Sequence, residues 1–304
     1  MEYLLSTNCL TKQYGKYKAA SDISLHIKRG DIYGLIGRNG AGKTTILKMI
    51  SGLAAPTRGE YSIFGKSGKA ADAMKSRIGT LIEQPGLYLN MTAAENLTIK
   101  CLALGVHRRG YVEDLLRTVG LAEVKNKKTK QFSLGMKQRL GIALALVGDP
   151  DLIVLDEPIN GLDPQGIVEV RETLTRLNKE RDITIIISSH ILEELSKLAT
   201  KYGIIHNGVL LQELTREELL AQCREHIDLH TTDTEKTCAV LEGMGISQYK
   251  VIDKSSIQIF ERFDETGDIT MALALNGIKT TRIAVKGEAL EDYYLNLTGG
   301  GAHA

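Results

Sequence analysis

Gly37-Arg38-Asn39-Gly40-Ala41-Gly42-Lys43-Thr44 is the stretch on which the reading of this chain turns. It has the spacing G-x-x-x-x-G-K-[ST]. Before it lies the compact apolar run DIYGLIG (31–37). After it comes TTILKMISGL (44–53), apolar at helical spacing and closed by a stop signal at Gly52. A strand–loop–helix context is what this motif requires in order to bind phosphate. Gly37, Gly40 and Gly42 let successive backbone N–H groups turn inward around phosphate oxygens, and the next helix points its positive end at the same anion. Lys43 brings a point charge to the β- and γ-phosphates, and the Thr44 hydroxyl can take one position on Mg²⁺. Asn39, Ala41 and Thr45 belong to the same loop and helix start, and they count with it as nucleotide-binding residues.

A phosphate loop of this kind needs a second metal-holding carboxylate at the end of another strand. Leu152-Ile153-Val154-Leu155-Asp156 supplies one. Asp156 can hold Mg²⁺ through a water. Glu157 follows, and its side chain leaves the strand in another direction, where it can polarise an attacking water.

Composition bounds the rest. The 304 residues hold one large or two medium domains. Lys plus Arg total 38 against 37 Asp plus Glu, a net charge of +1, which argues against both a dedicated nucleic-acid binder and a disordered acidic chain. The longest apolar runs, Gly141 to Val147 and Ile183 to Ile187, fall far short of the ~18 residues of a membrane helix. The start, MEYLLSTNCLTKQYGK, lacks the pattern of a secretory signal. The expectation is a soluble, intracellular protein. Cys9, Cys101, Cys223 and Cys238 are scattered, so neither a disulfide framework nor a zinc ribbon is expected. Cys223, His226 and His230 form a local group without a fourth ligand, and read as a helix end followed by a strand.

Along the chain, DISLHI (22–27) alternates as a half-buried strand does, and GEYSIFG (59–65) is strand-like. Between about 91 and 148 the period becomes helical. DLIVLDEP (151–158) and ITIIISSH (183–190) are apolar strands with the helical GIVEVRETLTRLNKE between them, a pattern that indicates a parallel sheet with a crossover helix. After about residue 222, HIDLHT, DTEKTCAVLEGMG, QYKVID, SIQIFE, GDITMALALNG and TTRIAV read as βαββαβ, the ferredoxin-like order, followed by a helix, GEALEDYYLNL. In that helix Leu290, Tyr293, Tyr294 and Leu297 share one face, read as core packing or, alternatively, a partner surface. The GGGAHA tail is expected to be flexible.

With these residues in hand, the chain resembles the ATP-binding-cassette (ABC) ATPases over residues 1 to about 220, and further motifs of that family occur in order. Tyr14, in TKQYG, matches the aromatic that stacks on adenine. Gln84, in EQPG, matches the glutamine that contacts Mg²⁺ or the attacking water and senses the membrane partner. Phe132-Ser133-Leu134-Gly135-Met136 stands in place of the LSGGQ signature. Leu134 and Met136 depart from that pattern. Ser133 and Gly135 keep the donor and the close backbone approach. Gly161-Leu162-Asp163 matches the D-loop, and His190 matches the switch histidine that contacts the γ-phosphate.

The resemblance implies a P-loop NTPase of ABC type, an α/β fold with a mixed sheet core. It places a helical subdomain at about 88–148 and a small α+β domain at 221–304. It implies ATP and Mg²⁺ as ligands, Glu157, His190 and Gln84 as catalytic residues, and Thr44, Gln84 and Asp156 around the metal. Because the family's signature completes the site of the other subunit, it also implies a dimer of ATPase subunits, read here as a homodimer. The segment after Gln84, LYLNMTAAENLTIKCLALG, would receive a helix of a separate polytopic membrane permease. No nucleic acid is implied, and the chain is expected to be cytoplasmic, peripheral on the cytoplasmic face of the membrane. The FSLGM signature and the LEDYYLNLTGG ending are similar to the bacitracin-resistance and lantibiotic-immunity branch, which implies export of a peptide antibiotic, a lipid-like or other amphipathic compound. The competing readings are a soluble non-transport ABC ATPase and a nucleotide-dependent regulator. The chain lacks the second cassette of ribosome-acting relatives and the long coiled coil of DNA-repair relatives. Glu157 with His190 weighs against a regulator without turnover.

Overall fold

The computed structural model describes residues 3–223, 225–286 and 290–299. It divides into two compact units, Met1–Arg216 and Glu217–Ala304.

The first unit opens with an antiparallel sheet. β1 (Leu5–Tyr14) pairs with β2 (Tyr17–Ile23) and β3 (His26–Ile27). The single strand expected over 22–27 is therefore two. Asp22 adopts a positive φ of 56°, and Thr7, on β1, fills the interruption. Its hydroxyl donates to the Ile23 carbonyl at 2.8 Å and accepts from the Leu25 N–H at 2.8 Å. The apolar alternation survives, because Ile23, Leu25 and Ile27 are all buried.

β4 (Ile32–Ile36) is buried along its whole length and runs into the glycine loop, which leads to α1 (Lys43–Ile50). Ile46, Leu47 and Ile50 turn one face of α1 into the core, and each such side chain contributes about 1.5–3 kcal/mol by leaving water. Gly52, at φ 75°, ends the turn as the sequence indicates. β5 (Arg58–Ile63) returns to pair with β1, and β6 (Lys66–Ser67) and α2 (Lys69–Ala73) follow before β7 (Ile78–Leu81). The helical stretch then contains α3 (Ala93–Ala103), α4 (Tyr111–Thr118) and α5 (Leu134–Ala145). α3 starts with a full capping box between Thr92 and Glu95.

β8 (Leu152–Asp156), α6 (Pro164–Arg181) and β9 (Thr184–Ser189) form the expected crossover, with β8 and β9 parallel neighbours. After α7 (Leu192–Ser196), β10 (Lys201–His206) and β11 (Val209–Thr215) make a hairpin that the sequence reading passed over. Its signal was present: Asn207 and Gly208 both take positive φ, as a two-residue Asn-Gly turn demands. The central sheet has the order β11-β10-β4-β9-β8-β7, parallel except for β11. The ends of β4, β8 and β9 deliver Gly37, Asp156 and His190 to one edge.

α8 (Arg216–Gln222) spans the division between the units. The second unit runs β12 (His226–Thr231), α9 (Thr234–Gly243), β13 (Tyr249–Val251), β14 (Ser256–Ile259), α10 (Thr266–Leu275), β15 (Thr280–Lys286) and α11 (Leu290–Leu297). The sheet order β13-β14-β12-β15, antiparallel throughout, is the ferredoxin-like arrangement read from the sequence. Ile227, Leu229, Ile257 and Ile259 pack with Leu241, Ile269 and Leu273 of the helices. Tyr294, on the stripe of α11, is buried. Among the described residues no group of His, Cys, Asp and Glu forms a metal cluster, so Cys223, His226 and His230 do not assemble. The flexible-tail expectation covers residues 299–304, of which all but Gly299 lie outside those described.

Candidate nucleotide site

The phosphate loop is built by exclusion. Gly42, at φ 105°, lies where a Cβ would meet the Ala19 carbonyl at 2.4 Å, and a Cβ at Gly37 would meet the Ile205 carbonyl at 2.6 Å. Only glycine fits either place, so the loop is pressed between β2 and β10. Gly42 is the N-cap of α1 and offers no side-chain hydrogen bond, so the first N–H groups of the helix stay available to an anion. Asn39 and Gly40 at the loop tip are exposed, Ala41 is buried, and Thr45 is partly buried in the first turn of α1.

Lys43 is only 5% exposed. A buried ammonium costs several kcal/mol unless it is compensated. Its Nζ donates to the carbonyls of Gly37 (2.6 Å) and Arg38 (3.3 Å), and lies 3.0 Å from Glu157 Oε1. The last contact is an ion pair without hydrogen-bond alignment, so Glu157 Oε1 retains an unfilled acceptor position in a buried setting. On its other side, Glu157 Oε2 is 2.8 Å from His190 Nδ1. The carboxylate thus sits between an ammonium and an imidazole. Its backbone has a φ of 49°, a left-handed conformation that side-chain-bearing residues seldom take and that concentrates at functional sites.

Asp156 is buried and points elsewhere. Its Oδ2 accepts from the Thr44 hydroxyl at 2.7 Å, and its Oδ1 accepts from the Ser188 hydroxyl at 2.6 Å. The same Ser188 oxygen accepts from the Glu157 N–H at 2.9 Å. Ser188 had no role in the sequence reading. The only signal was the pair of serines before His190, whose partners lie far away along the chain. Hard oxygen donors on Thr44 and Asp156, beside an uncapped helix start and a buried lysine, fit a divalent cation bound with phosphates.

Gln84 is exposed and borders a cavity of about 470 Å³ that Asp156 and Glu157 also line. It borders a second groove of about 400 Å³ as well, walled by Leu53, Ile82, Tyr88, Ile99 and Ala103. One side chain therefore stands between the carboxylates and the groove beside α3.

The remaining site residues form separate groups. Tyr14 is half-exposed at the end of β1, with the Lys12 ammonium 5.0 Å from its ring centre. Ser133 is the N-cap of α5 and accepts from the Met136 N–H at 3.2 Å, which leaves its hydroxyl proton free to be donated outward. Asp163 caps α6 by accepting from the Gly166 N–H at 3.0 Å. A Cβ on Gly135 would stand 3.7 Å from Gly166 Cα, and one on Gly161 would stand 3.4 Å from Leu134 Cδ2. The starts of α5 and α6 therefore lie together. Leu134, the departure from the family pattern, packs at this junction and remains 48% exposed.

Comparison with known proteins accords with this geometry. Residues 20–160 match the ABC transporter family. The chain is 42% identical to the bacitracin transport ATP-binding protein BcrA of Bacillus licheniformis, over 99% of both chains. It is 44% identical to the lantibiotic transport ATP-binding protein SrtF of Streptococcus pyogenes, over 69% of this chain and 90% of that one. Among solved structures, an ATP-binding subunit of an ABC transporter superposes with a TM-score of 0.63 at 32% identity, covering 72% of this chain and 92% of its own. The dimeric, post-hydrolysis cassette MJ0796 bound to ADP and Pi gives 0.62 at 25% identity, covering 70% of this chain and 98% of its own. The chain belongs to the ABC transporter family, as an ATP-binding subunit that hydrolyses ATP.

Proposed function

We propose that this ATPase drives export of a peptide antibiotic of the bacitracin or lantibiotic kind through a separate membrane permease, working as a homodimer on the cytoplasmic face of the membrane. The observation that carries the chemistry is the convergence of Lys43, Thr44, Asp156, Glu157 and His190 at the ends of three adjacent parallel strands. In this reading the loop amides, Lys43 and the open start of α1 bind the phosphates. Thr44, Asp156 and Gln84 would hold Mg²⁺, which would supply charge neutralisation for the phosphates. Glu157 takes a proton from water as the water oxygen bonds to the γ-phosphorus and the bond to ADP breaks. With its proton on Nδ1, His190 donates to Glu157 Oε2 and steadies the carboxylate. Phosphoryl transfer asks chiefly for positioning and charge stabilisation, which these groups supply.

Each chain carries one phosphate loop and one signature, so Tyr14 and Lys43 of one subunit and Ser133, Gly135 and Asp163 of its partner enclose one nucleotide. The free proton of Ser133 and the start of α5 suit that task. The apolar groove bordered by Gln84 suits a helix of the permease.

The test is reconstitution. The chain, purified with the membrane protein it captures from a detergent extract, is placed in proteoliposomes, and ATP turnover is measured with and without bacitracin. Stimulation by bacitracin or a lantibiotic supports the reading. Capture of ribosomal proteins instead of a polytopic membrane protein, or turnover indifferent to both peptide classes, contradicts it.

A further inference from the structure

We infer that Ser188 is a positioning residue that ties the metal-holding and the water-activating carboxylates into one unit. The inference rests on the roles proposed above for Asp156 and Glu157. β8 and β9 are in parallel register with Asp156 opposite Ser188, which puts the serine hydroxyl beside the strand end where two successive side chains must diverge. A hydroxyl has one proton to give and lone pairs to receive. Ser188 gives its proton to Asp156 Oδ1 at 2.6 Å and receives the Glu157 N–H at 2.9 Å.

Both bonds have consequences. With Oδ1 engaged, the Asp156 carboxylate is fixed in plane and Oδ2 is the oxygen turned to Thr44. With its N–H held, Glu157 is kept in the left-handed conformation at φ 49° that sends its side chain to Lys43 and His190. Ser188 is wholly buried, so water does not stand in for it. Removing the hydroxyl frees the orientation of both carboxylates at once, although Ser188 itself touches neither phosphate nor the attacking water. Its neighbour Ser189 differs: its hydroxyl is engaged with Ile191 on its own strand's exit.

The test compares Ser188→Ala, Ser188→Cys and Ser188→Thr in the full chain, with Glu157→Gln as a control. Four readouts are taken: kcat, ATP affinity in EDTA, Mn²⁺ affinity of the ATP-loaded protein by electron paramagnetic resonance, and thermal midpoint. Partners standing behind metal ligands commonly change metal affinity or activity by about 10–100-fold. Ser188→Ala is expected to lower kcat and Mn²⁺ affinity by about that factor, with ATP affinity in EDTA held within about twofold. Ser188→Cys, similar in size but a weak donor, stays impaired, and Ser188→Thr recovers Mn²⁺ affinity and turnover. Wild-type kcat and Mn²⁺ affinity in Ser188→Ala overturn the inference. So does a loss of metal-free ATP binding equal to the loss of Mn²⁺ affinity, or an unimpaired Ser188→Cys, since these describe packing alone. If Glu157→Gln turns over normally, the reading of the site itself fails; if Glu157→Gln is inactive while Ser188→Ala is normal, only the inference about Ser188 fails.

Discussion

Lys43 Nζ and Glu157 Oε1 stand 3.0 Å apart, the lysine 5% and the glutamate 20% exposed at their side chains. The ammonium proposed to receive the phosphates and the carboxylate proposed to receive the proton therefore share one sparsely solvated space, and each sets the electrostatic setting of the other. In such a space an unpaired charge is far more costly than at the surface. In the proposed reading, the nucleotide engages the ammonium while the carboxylate remains beside it.

Lys43→Met follows from that pairing. It removes the buried positive charge and leaves Glu157 with His190 as its neighbour. ATP affinity is expected to fall at least about tenfold, since charge-assisted contacts to phosphate are worth roughly 1.5–3 kcal/mol. Titration with a fluorescent ATP analogue measures this, and unchanged affinity contradicts the phosphate-cradle reading.

Ser133 has two separable duties. As the N-cap of α5 it accepts the Met136 N–H. Ser133→Ala is expected to lose about 1 kcal/mol of stability along with turnover. Ser133→Asp keeps the cap and sets a negative charge where the partner's γ-phosphate is to lie. It should melt at or above the wild-type temperature and yet fail to dimerise on ATP, read by thermal unfolding and light scattering. Wild-type turnover in Ser133→Asp contradicts the sandwich.

Asp151 gives a pH-dependent prediction away from the site. The Arg77 guanidinium, 2.8 Å away, holds its carboxyl below the usual 3.8, with Arg29 adding to the effect. A depressed folded pKa contributes stability that is full above 3.8 and disappears as pH falls through the lower folded value. Both groups are partly exposed, so the pair is worth no more than about 1 kcal/mol. Arg77→Met should therefore be destabilised by about that much at pH 7, and the gap to wild type should narrow on acidification below about pH 4. A remainder persists, because Arg77 also covers the Phe64 ring. Urea unfolding at several pH values measures the gap, and one that widens in acid contradicts the account.

What the sequence disclosed depended on how local each cause was. Gly37 to Thr44 and Asp156-Glu157 were legible because each motif carries its own strand, turn or helix signal within a few residues. The βαββαβ order of the second unit was legible because each short element has a clean period and a turn residue at its end. The division of 22–27 was not, because its agent is Thr7, far back on β1. The role of Ser188 was not, because both of its partners come from the neighbouring strand. The β10–β11 hairpin was overlooked although Asn207-Gly208 announces it. Leu134 was seen as a departure, and only the packing at Gly161 shows where it goes.

Glu157 is proposed to activate the attacking water. Glu157→Gln keeps the shape of the side chain and removes its charge and basicity. Loss of a positioned general base costs typically about 10²–10⁴ in rate. Turnover of the purified variant should fall by that order. Its ATP affinity should be equal to or tighter than wild type, because a negative charge beside the phosphates has gone. Hydrolysis at the wild-type rate, or loss of ATP binding together with hydrolysis, would contradict the account.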